Sequence, residues 1–482
     1  MLPLLLLLVL RATAETVDIL RDSSGVPHVF AKTAAGAAFG VGYAQAEDRP
    51  DALLQNLSTP AEAGEIPTQL RPLVEGFVAG VNQSLRAQGR QEQIRPEQVA
   101  AFARRAYTWI HGSNDLLLGP TRTQSRSVIA VLDPLADWNA ADRPYEMSLY
   151  ASEGDLALSG VAPAGFPFPV VGHSAAISVG WSGDPTPGGA RSLAASWRLI
   201  NARNLDEARQ ALAMNQIRGQ ALIGTSAGEI YDSSGAQPTS GYLRLASPSL
   251  HGDSVAKEQL RVQQTWSFGR VQGLAFSTEV YNVETWQRYL SRVAPEDRFA
   301  RRLSGWNRRA DPDSADALAF YEFKLALGAD AAALEPPDSL SLSRLRAALT
   351  RARDVMETEL DYNSTFGTLF RATREKARRS TPIGGGALPE AGMETPRTLY
   401  FTRPSAADPR ALHLVTSGQS ATRIVELSRA PSAVSLLLPG ESDRAESPYF
   451  DDQTRLSAPK RTFFRDRREL ERSASSRKQL IF

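Results

Sequence analysis

The segment His111-Gly112-Ser113-Asn114 divides the chain into two stretches with different hydrophobic patterns. Upstream of it, apolar and small residues recur at helical spacing, which predicts three helices, at residues 34–54, 70–85 and 96–107. Downstream, short apolar runs separated by Gly and Pro predict β-strands, the first of them at residues 116–118. The architecture is therefore expected to change at the bond between Gly112 and Ser113.

In the second part of the chain, strand-like and helix-like patterns form separate blocks instead of alternating. Helical periodicity dominates residues 283–360, and strand-like runs occupy residues 398–438, with two shorter candidate strands at 195–200 and 220–231. Segregated blocks are typical of α+β proteins. The basic stretch 460–478 is expected to be a solvated tail or terminal helix, with a functional basic patch as the alternative.

Size and composition place the chain among globular proteins with a large core. It has 482 residues, of which 42% are hydrophobic and 22% charged. Lys and Arg number 54 against 53 Asp and Glu, and this near-neutral balance gives no support to nucleic-acid binding. The absence of cysteine excludes disulfides, thiolate nucleophiles and Cys-ligated zinc.

The N-terminus resembles a secretory signal peptide. Residues 2–10 are almost entirely apolar, and Ala12-Thr13-Ala14 forms a small-x-small cleavage pattern that predicts a cut before Glu15. The run is too short to span a bilayer, which requires about 20 apolar residues. No cysteine follows it, so neither a lipid anchor nor another stable membrane anchor is expected. The mature protein is predicted to be periplasmic or secreted; a mis-assigned start or a buried strand is the alternative.

Most familiar hydrolytic motifs are missing from this sequence. Histidine occurs five times, and no His-Glu-x-x-His helix offers a zinc site. The segment 224–228 (GTSAG) has only the glycine spacing of a looser nucleophile elbow. Because it lies in a predicted strand-turn-strand and an elbow needs a strand followed by a helix, it is a weak candidate.

Gly112-Ser113 supports a scheme that needs neither histidine nor metal. A serine at a new N-terminus carries its own base, the α-amine, whose unperturbed pKa is about 7.7–8.0. The amine, directly or through water, can take the hydroxyl proton as the oxygen attacks an amide carbonyl. This requires that the bond before Ser113 be broken first, and attack of Ser113 on the Gly112 carbonyl would break it.

The motifs flanking this bond resemble the penicillin acylase family of N-terminal-nucleophile amide hydrolases. The resemblance covers most of the chain in order, and its later segments are closer to the acyl-homoserine-lactone and aculeacin acylase branch. The segments that carry it are 21–28 (RDSSGVPH), 39–49 (FGVGYAQAEDR), 112–114 (GSN), 382–386 (PIGGG), 418–420 (GQS) and 446–454 (ESPYFDDQT).

Membership of this family implies an αββα fold, in which two stacked antiparallel sheets lie between helical layers. It implies self-cleavage between Gly112 and Ser113, which makes Ser113 the catalytic residue. The mature protein would combine an α chain, residues 15–112 with a C-terminal spacer, and a β chain, residues 113–482 with the helical insert. The expected reaction is hydrolysis of an N-acyl amide, with acyl-homoserine lactones as the first substrate class and penicillin-type amides as the second.

Alignment with the family also assigns roles near the nucleophile and shows where this chain departs from the pattern. The backbone donor to the tetrahedral oxyanion falls at Gly183. The segment expected to supply the oxyanion Asn, 240–248 (SGYLRLASP), contains none, which leaves Asn215 as a side-chain candidate. No cofactor is expected, although some members bind calcium; the acidic cluster that binds it is missing from residues 184–197.

Four apolar residues flank the site in the same alignment and suit an acyl chain, although core packing explains them equally well: Leu135, Ala136, Val170 and Val171. Leu135 also replaces a polar residue that the family usually has beside the nucleophile. These departures leave a second hypothesis open. The chain would then be a catalytically degenerate relative that acts as a ligand-binding or scaffold protein.

Overall fold

A computed structural model describes residues 14–184, 186–244, 252–374, 377, 379–404, 408–456, 459–463 and 466–482. The predicted leader lies almost wholly outside these residues. The α-helices are α1 Ala34–Asp48, α2 Pro50–Ser58, α3 Arg71–Ala87, α4 Pro96–Ala103, α5 Ser192–Ile200, α6 Leu205–Ala213, α7 Gly252–Val262, α8 Phe268–Ala275, α9 Val283–Val293, α10 Arg298–Gly305, α11 Ala315–Ala326, α12 Leu342–Asp354, α13 Phe366–Leu369 and α14 Arg467–Ser473. A π-helix, Val355–Glu359, extends α12.

Most of the strands follow the Gly112–Ser113 bond. They are β1 Thr16–Arg21, β2 Pro27–Ala31, β3 Gly112–Ser113, β4 Leu116–Leu118, β5 Val128–Leu132, β6 Pro134–Asp137, β7 Pro144–Ala151, β8 Leu156–Pro163, β9 Val171–His173, β10 Ile177–Ser182, β11 Gln220–Thr225, β12 Ile230–Asp232, β13 Tyr242–Arg244, β14 Phe370–Ala372, β15 Thr381–Pro382, β16 Ala387–Leu388, β17 Met393–Glu394, β18 Leu399–Phe401, β19 His413–Gln419, β20 Ala421–Leu427, β21 Ser432–Leu437, β22 Lys460–Arg461 and β23 Ser476–Ile481.

The first sheet combines strands from both sides of that bond. Its order is β12-β11-β10-β9-β8-β7-β2-β1-β23. All neighbours are antiparallel except β2 and β7, which pair in parallel with His28 opposite Ser148. The N-terminal hairpin β1-β2 is thus enclosed between β7 and the C-terminal strand β23.

The second sheet is antiparallel, in the order β13-β4-β5-β20-β21-β22, and lies against the first. Alternate residues of β5 enter two different cores, as the period of two requires. Val128, Ala130 and Leu132 belong to the core shared with the first sheet. Ile129 and Val131 pack on the opposite side, in a core that includes side chains of α7 and α8.

The outer face of the first sheet is covered by α1, which contacts β1, β2 and β7 and packs closely on α3. Glycines permit this approach, because a Cβ on Gly42 would lie 2.2 Å from the Phe77 carbonyl oxygen and one on Gly80 would lie 1.9 Å from that of Phe39. The layers therefore follow the order helix, sheet, sheet, helix. The predicted α+β class with an αββα core is confirmed.

A third sheet and a separate helical core complete the fold. The third sheet contains β15-β14-β19-β18-β16-β17, and β6 joins it by pairing with β19 and with β3. Helices α9 to α12 lie within the helical block expected at 283–360 and share one hydrophobic core with α13. Several strands of the third sheet have only two or three residues, too short for periodicity to identify.

One local prediction was wrong, and another, of a solvated tail or terminal helix, was right only for the helix. Residues 195–200 form most of α5 and not a strand; short apolar runs are ambiguous, and here residues at helical spacing are buried, among them Leu193, Ala195 and Leu199. The stretch 460–478 is not a solvated tail. Its first residues form β22, a terminal helix, α14, follows, and β23 then pairs with β1.

Candidate active site at Ser113

Ser113 lies in β3, where it is opposite Pro134 of β6. The neighbouring Asn114 donates its backbone N–H to the Asp133 carbonyl at 3.0 Å. In an antiparallel ladder this makes Ser113 a non-hydrogen-bonded position, so its N–H and C=O turn away from β6. Its side chain is buried, with the residue 2% exposed, and Oγ has no hydrogen-bond partner among the described residues. Because buried hydroxyls are normally hydrogen-bonded, this exception calls for a functional explanation.

Beside this strand, the carboxyl group of Asp133 accepts hydrogen bonds from three uncharged side chains. Thr422 donates to Oδ1 at 2.6 Å, and Asn114 and Gln419 donate to Oδ2 at 3.2 and 3.1 Å. Asn114 also donates to Thr398 Oγ1 at 3.0 Å, which engages both of its amide hydrogens. Burial raises the pKa of Asp133 despite these bonds. We call Asp133, Asn114, Gln419 and Thr422 the Asp133 cluster.

Asp115 places a second buried carboxyl two residues after the nucleophile. Its Oδ1 accepts the Asp133 backbone N–H at 2.6 Å, whereas Oδ2 has no hydrogen-bond partner of normal geometry in the described parts of the chain. Burial raises the pKa of Asp115 to about 7; the backbone amides of Asp133 and Trp181 oppose the rise, and the Asp133 carboxyl adds to it. Sequence analysis missed this residue. The available signal was an acidic side chain directly before the buried run Leu116–Leu118.

Strand β10 runs antiparallel to residues 110–115 at very close range. A Cβ on Gly180 would lie 2.2 Å from Asp115 Oδ2, and a Cβ on Gly183 would lie 2.4 Å from the Ile110 carbonyl oxygen. Glycine at these two positions is what permits the approach. These two contacts lie on either side of the Gly112–Ser113 bond along the chain, and the second of them involves the predicted oxyanion donor, Gly183.

The segment that precedes the nucleophile is packed into this site in the intact chain. Residues 109 and 110 are buried, and the backbone N–H of His111 donates to the Leu135 carbonyl at 2.8 Å. The ring of Tyr107 packs on that of Trp181 with centroids 4.8 Å apart. The nucleophile is therefore covered by its own upstream chain.

The four candidate pocket residues are buried on two sides of the bond. Leu135 is directly opposite Gly112 in the ladder between β3 and β6. Gly172 of β9 pairs with Val179 of β10, and one further step along this antiparallel register places Val171 beside Gly180. Ala136, Val170 and Val171 belong to the main hydrophobic core.

Asn215 lies far along the chain in an exposed left-handed turn after α6, with a φ of 51°. Its backbone N–H donates to the Leu212 carbonyl at 2.9 Å, and no hydrogen bond between the described residues joins it to β3. Residues 242–244 of the segment expected to carry the oxyanion Asn form β13, which pairs with β4. Residues 245–248 of that segment lie outside the described residues.

The alternative nucleophile segment does not form an elbow. β11 ends at Thr225 and β12 begins at Ile230, so residues 226–229 form a hairpin turn in which Gly228 has a φ of 95°. No described group of three or more His, Asp or Glu side chains is arranged to hold a metal ion. Among the same residues, no helix has the length and apolar character needed to cross a membrane.

Comparison with known proteins places this site in a family. The sequence model of the penicillin amidase family matches residues 16–53, 81–183 and 253–467, which together make up more than half of the chain and include the Gly112–Ser113 bond. The chain belongs to the penicillin amidase family. The match stops after Gly183 and resumes at residue 253, so it omits Asn215 and the segment 240–248.

Among solved structures, the chain is similar to a thermostable penicillin G acylase from Alcaligenes faecalis. The two are 13% identical, with a TM-score of 0.45, and the match covers 76% of this chain and 98% of the other. The search of curated proteins found no match. Family membership, which rests on the sequence model, supports an amidohydrolase activity.

Proposed function

We propose that this chain is a self-processing amidohydrolase in which Ser113, once released as an N-terminal residue, is the nucleophile. The observation that carries the proposal is the buried Ser113 Oγ, which has no hydrogen-bond partner among the described residues and lies beside a Gly-Ser bond that β6 and β10 flank. Ser113 attacks the Gly112 carbonyl, and water then hydrolyses the ester. The freed amine acts as the base for later substrate attack, and the Gly183 N–H stabilises the oxyanion by roughly 3–4 kcal/mol.

The fold accounts for how the two products of self-cleavage would remain together. Strands β1 and β2 precede the cleaved bond, yet they lie inside the first sheet between β7 and β23, which follow it. Separating an α chain from a β chain would break both ladders and expose the helix α1 interface. We therefore propose a stable pair of chains, without nucleic-acid or membrane partners.

The proposed substrate is an N-acyl amide, hydrolysed to a carboxylic acid and an amine. Apolar Leu135 next to Gly112 and Val171 next to Gly180 suit an aliphatic acyl chain once the segment before Ser113 has moved away. Acyl-homoserine lactones are the first choice and penicillin-type amides the second. We further propose export to the periplasm or medium and activity without a cofactor.

Intact-mass measurement of purified protein tests the proposal. We expect a fragment that begins at Ser113, and the Ser113→Ala variant should remain a single chain. Cleavage at this bond in Ser113→Ala would contradict the mechanism. Matured protein is then assayed against linear acyl 4-nitroanilides and acyl-homoserine lactones of increasing chain length.

The degenerate, non-catalytic reading is the second candidate. It is favoured by residues 240–244, which carry no Asn, and by the exposed position of Asn215. An uncut chain that binds a labelled acyl amide without turnover would support it over the enzyme.

A further inference from the structure

We propose that Asp115 is a positioning residue whose carboxylate becomes the charge partner of the Ser113 α-amine after self-cleavage. The inference rests on the proposed function, because the amine exists only if the Gly112–Ser113 bond is cut. It goes beyond that function by assigning a residue that controls the base.

The first step concerns the cost of the new charge. Cleavage creates an ammonium group at a site where Ser113 is almost completely buried. A buried cation lacking a carboxylate partner loses its proton readily, because desolvation penalises the charged form. A base works best when its pKa is near the working pH, so the site needs a compensating anion.

The two buried carboxyls near Ser113, those of Asp133 and Asp115, differ in how many of their oxygens accept hydrogen bonds from side chains. Asp133 is engaged by three side-chain donors, on both of its oxygens. Asp115 has one oxygen bound to the Asp133 amide, and Oδ2 is buried with no side-chain donor among the described residues; the Trp181 backbone amide is the other group that favours its charged form by hydrogen bonding. Of the two buried carboxyls, only Asp115 therefore has an oxygen that no described side chain engages.

The position of the Asp115 carboxyl relative to Ser113 also supports the proposal. Asp115 follows Ser113 by two residues, and both are buried. The Oδ1 bond to the Asp133 amide holds the carboxyl beside the residue that precedes Pro134, the ladder partner of Ser113. Gly180 leaves the space that Oδ2 occupies.

The charged groups around Asp115 allow it to change state. The Asp133 carboxyl faces it across the strand pair and disfavours its ionisation, whereas Arg244 of β13 favours it. Strand β10 contributes Gly180 and Trp181, which carry no charge. Arg397 faces Asp133 and not Asp115 directly. In the intact chain burial favours the neutral acid; a neighbouring ammonium favours the carboxylate, and the two groups then titrate as a pair.

The experiment measures the pKa of the Ser113 amine in matured protein, without reference to any substrate. Reductive dimethylation with formaldehyde and cyanoborohydride consumes the unprotonated amine, and mass spectrometry of the N-terminal peptide gives its rate against pH. The variants are Asp115→Asn, which mimics the neutral acid, and Asp115→Ala, which needs no partner for the second oxygen. Glu322→Gln is the control, because burial also raises the pKa of Glu322 to about 7 but in the separate helical core.

We expect both Asp115 variants to be cleaved and the amine pKa to fall by about 1–3 units relative to wild type and to Glu322→Gln. The acidic limb of the 4-nitroanilide hydrolysis profile should shift by the same amount. An unchanged amine pKa overturns the proposal, as does an uncut Asp115→Asn chain, which would place the residue in cleavage itself. A wild-type chain that is never cut at Ser113 instead refutes the proposed function.

Discussion

Two buried clusters stabilise their carboxyl groups by different interactions. In the Asp133 cluster, one carboxyl accepts three hydrogen bonds of 2.6–3.2 Å from uncharged side chains. In the second cluster, Lys460 of β22 is surrounded by four buried or largely buried carboxyls, and its Nζ makes no hydrogen bond to any described residue. We call this second group the Lys460 cluster: Lys460 with Asp22, Glu146, Glu441 and Asp452.

The contacts of Lys460 with its carboxyls are longer than the hydrogen bonds of the Asp133 cluster, and they depend on charge. Nζ lies 3.6 Å from Glu146 Oε2 and 3.8 Å from Asp22 Oδ2. The pKa of Asp22 falls to about 2 despite its burial, chiefly because of Lys460, whereas burial raises the pKa of Glu441. Hydrogen bonds from uncharged side chains hold Asp133, whereas Lys460 acts on its carboxyls through charge alone, although Glu146 also accepts hydrogen bonds from Arg423 and Ser435. Removing a charge should therefore damage only the second.

The largest effect is expected from Lys460→Met. It removes the cation beside Glu146 and Asp22, of which, among the described residues, only Glu146 keeps an arginine partner, Arg423; breaking a buried ion pair from one side costs about 3–5 kcal/mol. Urea denaturation of the purified protein measures the loss. Lys32→Met is the matched control, since Lys32 pairs with Glu153 at 3.2 Å on the surface, where such a pair contributes less than about 1 kcal/mol. Equal losses of unfolding free energy for the two variants would show that the buried ion pairs of Lys460 contribute no more than a surface pair.

The sequence distances within the two clusters also explain which contacts could not be predicted from the sequence. The change from helices to strands at residues 111–114 and the position of Ser113 could be predicted, because periodicity and motif are local. The partners of Asp133 and Lys460 are not local. Gln419 and Thr422 are almost 290 residues from Asp133. Lys460 is in a basic stretch that resembles a solvated tail until the fold brings it to carboxyls on the first sheet.

Thr422→Val should cost about 2 kcal/mol, because Val matches the shape of Thr but removes the one side chain of the described residues that donates to Asp133 Oδ1. The comparison variant is Thr462→Val near the Lys460 cluster, where Thr462 accepts from Arg423 at 2.9 Å. Arg423 retains Ser159 Oγ at 2.9 Å as an acceptor, so we expect about 1 kcal/mol. The difference between the two unfolding free energies is the test. A larger loss for Thr462→Val would reverse the proposed roles of geometry and charge.

Asp452→Asn should stabilise the protein as the pH rises. Burial raises the pKa of Asp452 to about 6, with Lys460 opposing. Protonated Asp452 therefore contributes stability that is complete below about pH 4 and lost as the pH passes 6. Asn keeps that neutral state, so the variant should gain about 1–2 kcal/mol over wild type between pH 4 and 7, discounted for partial exposure. Parallel denaturation series at these pH values measure the gain, and a constant difference would contradict the assignment.

Asp133→Asn should have the smallest effect, under about 1 kcal/mol, although it removes a fully buried carboxyl. An amide oxygen in place of Oδ2 keeps the bonds from Asn114 and Gln419, and an amide nitrogen in place of Oδ1 can donate to the Thr422 hydroxyl, which reverses its own role. Burial raises the pKa of Asp133, so the site disfavours the charge that this substitution removes. Urea denaturation beside Lys460→Met gives the measurement. A loss above about 3 kcal/mol would show that the Asp133 cluster, too, depends on charge.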